Sequence, residues 1–363
     1  MSCNIIMVNN RRLLQYFVAC REVLHPELPE NPQLSGWLDP RLNPWFRRGQ
    51  AVLFLAVQGP HVVGRVAAFI EPRLPSPHHG YFGLLETIAD PGVCSQLLGQ
   101  VEEWLARRGK SLVIGPVVFN SNYGMGLLVE GDAQPDPFNL PVNPPYYASL
   151  LSSLGYIREK DFLAYTWSTD QEIPNKFQRA AQRAQSITAL AIRTLTSYPR
   201  KKQIELFATL YRDTMQEGWE FAPLDRREIE GILLTFRNQS RPELLLMAEM
   251  HGEPAGFSLT VLGIRGGQKC ARLAVLGLAP RFRHRGIEAS LLVYTLARLR
   301  EERVKTVDLS YIAEDNQPVT RLLTAAGVTP NRRYRVYHRS LVAKILQSKL
   351  PSAFAVVTSD CTV

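Results

Sequence analysis

The sequence predicts an α/β (α+β) protein of two similar lobes, each built on a mixed central sheet that is flanked by helices. One apolar pattern occurs twice, as LFLAVQGPHVVGRVAAFI at residues 53–70 and as LLMAEMHGEPAGFSLTVL at residues 245–262. Each copy has two apolar runs around a turn that contains Gly and Pro, which is typical of a β-hairpin. A second pair, LLSSLGY and LLTAAGV, ends at Tyr156 and Val328 and predicts in each case a helix closed by glycine and then a strand. Two similar segments in the same order indicate a duplicated α/β unit, although hairpins and glycine-capped helices also arise independently.

The length of 363 residues suits two domains, because one domain usually holds about 100–200 residues. The apolar fraction of 45% and the charged fraction of 21% are ordinary for globular proteins, so each half can bury a core. We expect a degenerate first lobe at residues 1–168, a linker or crossover at 169–190, a second lobe at 191–345 and a tail at 346–363. Below, the amino half means residues 1–189 and the carboxy half means the remainder.

The sequence of the amino half predicts a series of helices and strands, and the sequence of the carboxy half predicts a similar series. In the amino half we expect a helix at 12–22, Pro-rich loops at 26–48, the hairpin, a strand at 80–90, a helix at 91–110, a buried strand at 111–120, a Pro-rich loop at 131–145, a strand at 160–167 and a helix or linker at 175–191. In the carboxy half we expect helices at 200–216, from 225, within 281–304 and at 316–326, and strands in the hairpin and at 269–280, 306–312 and 331–341. Asp225 and Glu228 have the spacing of a capping box at the second of these helices.

The formal net charge of +9 and the pI of about 9.4 indicate an anionic partner. Nucleic acid, an anionic membrane surface and a polyanionic small molecule such as a CoA ester are all compatible with that charge. The basic residues form no single tract, and no RRM, KH or zinc-finger pattern accompanies them, which argues against nucleic acid.

Cysteine usage and apolar runs indicate a cytoplasmic protein. Five cysteines lie far apart, which is not typical of a disulfide scaffold or a zinc site. The first residues have no apolar core of signal-peptide length, and no apolar run reaches the roughly 18 residues that a membrane-spanning helix needs. His78 and His79 have no acidic or Cys partners at ligand spacing, so we expect no metal, and the absence of GxSxG argues against a serine hydrolase.

The segment VLGLAPRFRHRGIEASLL, residues 275–292, has the features of a diphosphate site. A strand leads into a basic turn and then a helix, so several backbone N–H groups gather at a helix start, where the helix dipole adds positive potential. Gly286 lets a phosphate approach the backbone closely, and the neighbouring arginines can make bidentate contacts to phosphate oxygens. A solvated basic loop that happens to contain a glycine is the structural alternative.

In this order of elements the chain resembles the GNAT superfamily of N-acyltransferases. The family's pyrophosphate loop is Arg or Gln, two residues, Gly, one residue, and Gly or Ala; this chain matches it from Arg283 to Gly286 but has Glu288 at the last position. The resemblance implies an acyl-CoA donor, and Asn316 stands where the family often has an Asn at a helix start. Many members use a Tyr as general acid at the position of Leu323, so that role does not transfer. The implied carrier-binding residues are Leu276, Leu278, Arg281, Phe282, Arg283, His284, Arg285, Gly286, Ile287 and Asn316.

A closer resemblance is to large, two-lobed bacterial GNAT proteins. The shared segments are GPxxF(S/N)xN at Gly115–Asn122, LLVEG at Leu127–Gly131, NPPYY at Asn143–Tyr147, GWxFxPL at Gly218–Leu224, xEDN at Glu314–Asn316 and YRxY at Tyr334–Tyr337. They extend over most of the chain. The amino half has Asp90 and Pro91 where its copy of the basic turn would stand, so we infer that it does not hold a carrier and instead shapes the acceptor cleft or supports the interface.

The predicted chemistry is transfer of an acyl group, acetyl or longer, from acyl-CoA or a related carrier thioester to an amine. The amine could belong to a small molecule or to a Lys or Orn side chain of a peptide, and a homodimer is one candidate assembly. Backbone N–H groups around Leu276–Leu278 could stabilise the oxyanion. Candidate catalytic residues are Glu314, Tyr334 and Asp308, and candidate substrate-side residues are Trp219, Phe221 and Tyr311. The alternative is a non-catalytic binding protein on a decayed GNAT scaffold.

Overall fold

The structure is a computed structural model that describes residues 3–186 and 189–349. The amino half contains β1 (Asn4–Met7), α1 (Arg11–Leu24), α2 (Leu34–Trp37), β2 (Gln50–Gln58), β3 (His61–Ile70), β4 (His79–Thr87), α3 (Pro91–Ala106), β5 (Leu112–Gly115), β6 (Val117–Val118), β7 (Gly124–Met125), β8 (Leu127–Gly131), α4 (Tyr146–Ser153), β9 (Ile157–Ser168) and α5 (Asn175–Gln185). The carboxy half contains β10 (Leu190–Thr194), α6 (Arg200–Met215), α7 (Arg226–Gln239), β11 (Leu245–Met250), β12 (Glu253–Arg265), β13 (Gln268–Leu278), α8 (Ile287–Glu301), β14 (Thr306–Ala313), α9 (Gln317–Ala325), β15 (Pro330–Ser340) and α10 (Val342–Lys349).

Most predicted elements are present, and the differences have local causes. The strand predicted at 111–120 ends at Gly115, because Pro116 has no backbone N–H for a strand partner and Phe119 has a φ of 57°. The Pro-rich region at 26–48 contains the short helix α2 and a 3-10 turn at Pro44–Arg47. The helix predicted at 175–191 ends at Gln185. The helix α10 continues into the predicted tail, of which residues 350–363 lie outside the described residues.

The two hairpins have the same register. Ala56 pairs with Gly64 and Ala248 pairs with Gly256, and in both copies a β-bulge follows directly after this pair. The glycine-closed helix ends also agree, because Gly155 and Gly327 have φ values of 78° and 73°. The duplicated plan inferred from the sequence is therefore present in the backbone.

One continuous mixed sheet connects the two copies, in the order β1-β2-β3-β4-β5-β15-β9-β14-β13-β12-β11-β10, with β8 also paired to β15. The last strand of each copy pairs with a strand of the other copy. The strand β9 of the first copy pairs with β14, and the strand β15 of the second copy pairs with β5. The two exchanged strands pair with each other in an antiparallel manner, with Phe162 opposite Tyr334. Phe162 follows Gly155 by as many positions as Tyr334 follows Gly327, so this pair marks the centre of the duplication.

The exchange means that neither half of the chain completes its own sheet. A boundary at residue 168 or 191 therefore separates the two copies of the repeated sequence, but it does not separate two sheets, because strands of both copies belong to one sheet. The domain limits stay a prediction, and both halves contribute to the centre of the molecule.

The helix α7 begins with the predicted capping box. The Asp225 carboxylate accepts hydrogen bonds from the N–H groups of Arg227 and Glu228, each at 2.9 Å, and the Glu228 carboxylate accepts one from the N–H of Asp225 at 2.8 Å. We expect Asp225→Ala to lower the free energy of unfolding by about 1 kcal/mol, because two N–H groups of the first turn lose their acceptor. Urea denaturation measures this loss. Asp225→Ser should retain most of the stability, and equal losses in both variants would contradict the capping role.

Candidate functional site

The strands β13 and β14 separate part-way along their length and open a gap in the sheet. They pair in parallel only from Cys270 and Thr306 to Leu273 and Leu309. Beyond Leu273, β13 continues along β12, while β14 continues along β9 through Ile312 and Ala313. Within the described sheet, the β14-facing backbone groups of β13 beyond Leu273 therefore have no strand partner. Leu276 is partly exposed beside this gap, whereas the side chain of Leu278 is buried.

The turn after β13 leads directly into α8. Gly286 is the N-cap residue with a φ of 79°, and no side chain caps this helix in the part of the chain that the structure describes. In the amino half the corresponding helix α3 is different, because the Asp90 carboxylate accepts from the N–H groups of Gly92 and Val93 at 2.7 and 3.3 Å. A carboxylate thus occupies the N–H groups of α3 that an anion would need, while no side chain of the described residues caps those of α8.

The basic side chains around Gly286 have different surroundings. Arg281 and Arg283 form ion pairs with Glu253 at 2.9 Å and Glu217 at 3.0 Å. Arg285 is exposed and has no carboxylate partner among the described residues; its guanidinium carbon lies 5.8 Å from the ring centroid of Phe282.

The remaining predicted residues of the turn differ in exposure. His284 is exposed, with a φ of 64°. The side chains of Phe282 and Ile287 are buried, so they can contribute only backbone groups to a ligand. Glu288 is partly exposed.

The helix α5 lies against this turn, which the sequence analysis did not foresee. A Cβ atom on Gly286 would lie 2.6 Å from the carbonyl oxygen of Ala180, and the Ser290 hydroxyl donates to the carbonyl of Ala181 at 3.3 Å. The apolar residues of α5 recur at helical spacing, which was the available signal that one face is packed. They are Phe177, Ala180, Ala181 and Ala184.

The same helix accounts for Leu323. Phe177 lines an apolar pocket together with residues of α8 and α9. Its other lining residues are Trp167, Ile173, Pro174, Leu292, Leu296, Leu309 and Leu323. Leu323 is buried. A leucine at this position therefore anchors α5, and a phenol there would place a hydroxyl group in an apolar contact.

The structure does not bring the three candidate catalytic residues together. Glu314 forms an ion pair with Arg158 and accepts from the N–H of Asp161 at 3.2 Å. Asp308 is paired with Arg265, with its Oδ2 2.5 Å from Nη2, and it accepts from Thr166 at 3.0 Å. Both carboxylates are thus engaged in ion pairs.

Tyr334 lies elsewhere, buried at the centre of the duplication. Its ring centroid is 5.1 Å from that of Tyr311. Burial raises the pKa of the Tyr334 phenol, while the nearby Arg332 guanidinium acts to lower it. Asn316 lies at the start of α9, where its side chain accepts from the N–H of Val319 at 3.4 Å.

Two of the three predicted substrate-side residues share one aromatic group. The ring centroid of Phe162 lies 5.6 Å from that of Trp219 and 6.1 Å from that of Tyr311. The third residue, Phe221, belongs to a different aromatic contact, in which its ring centroid lies 6.3 Å from that of Tyr211. Tyr311 is two residues beyond the last pair of β13 and β14, so the aromatic group borders the gap.

Residues 218–224, which we call the acceptor loop, are held by the amino half. The Glu220 carboxylate accepts a hydrogen bond from the Tyr81 hydroxyl at 2.6 Å and lies 2.9 Å from Nδ1 of His79. The Ser121 hydroxyl donates to the carbonyl of Glu220 at 3.1 Å, and the Asn122 amide donates to that of Ala222 at 3.2 Å. The GPxxFNxN and GWxFxPL segments thus contact each other. Sequence analysis missed the roles of His79 and Tyr81, because their partner is more than 130 residues away.

No group of three or more His, Cys, Asp or Glu side chains in residues 3–186 and 189–349 is arranged to hold a metal ion. Over the same residues, no helix is long and apolar enough to cross a bilayer.

Comparison with known proteins agrees with the geometry of the gap and the turn. Residues 204–328 match the model described as "Acetyltransferase (GNAT) family". The carboxy half of this chain is a GNAT domain. Its matched part contains β11 to β14, the basic turn, α8 and α9. The family match is confined to residues 204–328, while the duplicated sheet as a whole has the fold of a solved tandem GNAT protein.

Relatives and solved structures extend the likeness beyond the matched domain. The chain is 25% identical over 339 residues to "Bacterial ceramide synthase" of Caulobacter vibrioides, which covers 84% of this chain and 87% of that protein. It is 22% identical to "Protein YghO" of Escherichia coli, over 92% of this chain and 94% of that protein. A solved tandem GNAT protein from the clavulanic acid biosynthesis pathway superposes with a TM-score of 0.57 at 14% identity, over 94% of this chain and 99% of that one, which shows the shared fold.

Proposed function

We propose that this GNAT protein is an N-acyltransferase that moves an acyl group from acyl-CoA, or from a related carrier thioester, to an amine. The observation that carries the proposal is the uncapped start of α8 at Gly286, beside the gap between β13 and β14. Free N–H groups, an absent Cβ and the unpaired Arg285 are the chemistry that a diphosphate needs. The adjacent gap offers strand N–H groups to a thioester carbonyl.

The reaction needs few groups from the protein beyond this frame. The amine nitrogen attacks the thioester carbon, the C–S bond breaks, and an amide and a thiolate are formed. Because thiols have pKa values near 8.5, the thiolate leaves with little help from an acid, so a leucine at position 323 is compatible with turnover. The proton of the amine passes to a base or to water. Glu314, Asp308 and Tyr334 stay candidates for proton transfer, with the first two held in ion pairs.

The finer proposal is that the acyl group is a fatty acyl chain and that the acceptor is the amine of a long-chain compound. Support comes from the printed name of the ceramide synthase relative, which covers most of both chains. The aromatic group at the gap, formed by Trp219, Phe162 and Tyr311, supplies an apolar wall of the kind that a chain requires. A Lys or Orn side chain of a peptide and a small amine are the other acceptors to test.

The test combines binding and turnover with acyl-CoAs of increasing chain length. We expect thermal stabilisation by at least one acyl-CoA and thiol release once an amine acceptor is added. Arg283→Glu/Arg285→Glu should weaken carrier binding at least about 100-fold, because two charge-assisted contacts of about 1.5–3 kcal/mol each are lost. Arg11→Glu/Arg12→Glu is the matched control, since it changes the net charge equally at exposed positions of α1.

The outcomes separate the two functions that the site supports. Stabilisation by no thioester would refute the carrier site. Binding without thiol release under any acceptor would instead support a binding protein on a GNAT scaffold, which Leu323 and Glu288 favour.

A further inference from the structure

The acceptor loop passes across the junction of the two halves, and polar groups of the amino half fix it at successive positions. Arg73 donates to the carbonyl of Pro223 at 2.9 Å, and the Asn122 amide donates to that of Ala222 at 3.2 Å. Glu220 makes three of these contacts, because both of its carboxylate oxygens and its carbonyl contact the amino half. The loop therefore takes its shape from the other half of the chain.

We propose that Tyr81 and His79 of β4 are positioning residues that set the acceptor loop of the carboxy half through Glu220. The inference rests on the proposed function, in which this loop lines the acceptor cleft. It assigns a task to the amino half, whose own helix start is blocked by Asp90. Neither Tyr81 nor His79 touches the reacting atoms; both act through the loop.

The contact of Glu220 with Tyr81 and His79, which we call the clamp, has a fixed geometry. Tyr81 is fully buried, and burial together with the Glu220 carboxylate raises the pKa of its phenol, so the hydroxyl stays protonated and donates. Glu220 has a φ of 48°, a conformation that residues other than glycine adopt at a cost and keep only where their surroundings demand it. The side chains of His79 and Tyr81 hold the Glu220 carboxylate and thereby stabilise this backbone conformation.

The clamp sets the direction of two aromatic side chains. Trp219 and Phe221 stand on either side of Glu220 in the sequence, and Trp219 contacts Phe162 at the edge of the gap. If Glu220 is released, the backbone at this position can leave the left-handed region, and both aromatic rings move with it. The basic turn at Gly286 meets this region through the partly exposed ion pair of Arg283 with Glu217, and the N–H groups at the start of α8 take no part in that pair, so carrier binding should be little affected.

The position of the contact separates this role from plain interface stability. Arg73 and Glu228 already join the halves beyond the end of the loop, through an ion pair in which Nη2 of Arg73 lies 3.1 Å from Oε1 of Glu228. Tyr81 adds a contact in the middle of the loop. Its loss should change the shape of the loop more than the association of the halves.

The test is steady-state kinetics of Tyr81→Phe with the acyl-CoA and amine that support thiol release. We expect the KM for the amine to rise about tenfold, since one hydrogen bond to a charged group is lost, while the KM for the acyl-CoA and its thermal shift stay unchanged. Tyr123→Phe is the matched control, because the hydroxyl of the partly buried Tyr123 donates to Asn43 at 2.8 Å and does not touch Glu220. In a Glu220→Gln background, which lacks the charge, Tyr81→Phe should have a smaller effect.

A second measurement is independent of turnover. The fluorescence of Trp219, obtained by subtracting the emission of Trp219→Phe, should be quenched more readily by acrylamide in Tyr81→Phe than in Tyr123→Phe. Equal quenching in the two variants, or an equal rise of both KM values, would overturn the clamp. A wild-type protein that releases no thiol would refute the proposed function alone, because the quenching result still decides the clamp.

Discussion

Replacing Arg73 by alanine is expected to give the largest loss of stability of any single change considered for this chain. The Arg73 guanidinium binds Glu71 at 2.7 and 2.8 Å and also binds Glu228 and the carbonyl of Pro223, so it joins the two halves. The carboxylates of Glu71 and Glu228 are almost completely buried. Although burial acts to raise it, the pKa of Glu71 is held below its ordinary value by Arg73. Arg73→Ala would leave two buried carboxylates without their cation.

We expect the free energy of unfolding to fall by about 3–5 kcal/mol in Arg73→Ala, as measured by urea denaturation, because removing one partner of a buried ion pair leaves an uncompensated charge. Arg41→Ala is the control. Arg41 also pairs with a carboxylate, Asp39, at 2.8 Å, but its side chain is 88% exposed. An exposed pair contributes roughly 0–1 kcal/mol, so the two variants should differ clearly. Equal losses would show that Arg73 does not hold the halves together.

Gly286→Ala is expected to abolish carrier binding. The φ of 79° disfavours alanine, and the added Cβ would lie 2.6 Å from the carbonyl oxygen of Ala180 and 3.4 Å from the Cβ of Ala184. Either α5 or the turn must move, and both movements displace the N–H groups at the start of α8. Because these groups act only when aimed at the phosphate, we expect acyl-CoA affinity to fall at least about 100-fold, measured by titration calorimetry.

Gly109→Ala controls for backbone strain. Gly109 has a similar φ of 75°, but no described atom lies within 4 Å of the Cβ that would be added. It should therefore lose some stability, on the order of 1 kcal/mol, and keep its affinity for the carrier. Wild-type affinity in Gly286→Ala would mean that the carrier does not bind beside this glycine.

Local signals in the sequence predicted the parts of the fold that depend on neighbouring residues. The hairpins follow from alternating apolar runs around Gly and Pro, and the capping box follows from the spacing of Asp225 and Glu228. The glycines after α4 and α9 predicted helix ends, and both adopt the positive φ that ends a helix. Each of these features is decided within a few residues, so the local sequence is sufficient.

For the basic turn, the local sequence predicted the composition of the site but not its packing. Its composition predicted an anion site, which stays a prediction, and the structure adds that no side chain caps the start of α8 within the described residues. The packing of Ala180 against Gly286 could not be read from either segment, because the two lie more than 100 residues apart. The same holds for Leu323, whose departure from the family pattern has a reason only once Phe177 is seen beside it.

By itself, the sequence determined that this protein contains two copies of one α/β plan and that only the second copy has a turn suited to a diphosphate. Only the tertiary structure decided that β9 and β15 exchange places, that α5 packs against Gly286, and that β4 of the first copy contacts the acceptor loop of the second. The physical reason is the distance along the chain over which the deciding interactions act. Periodicity and capping are set by interactions along a few residues of chain, whereas strand partners and loop contacts are set by which buried surfaces and polar groups complement each other across the whole fold.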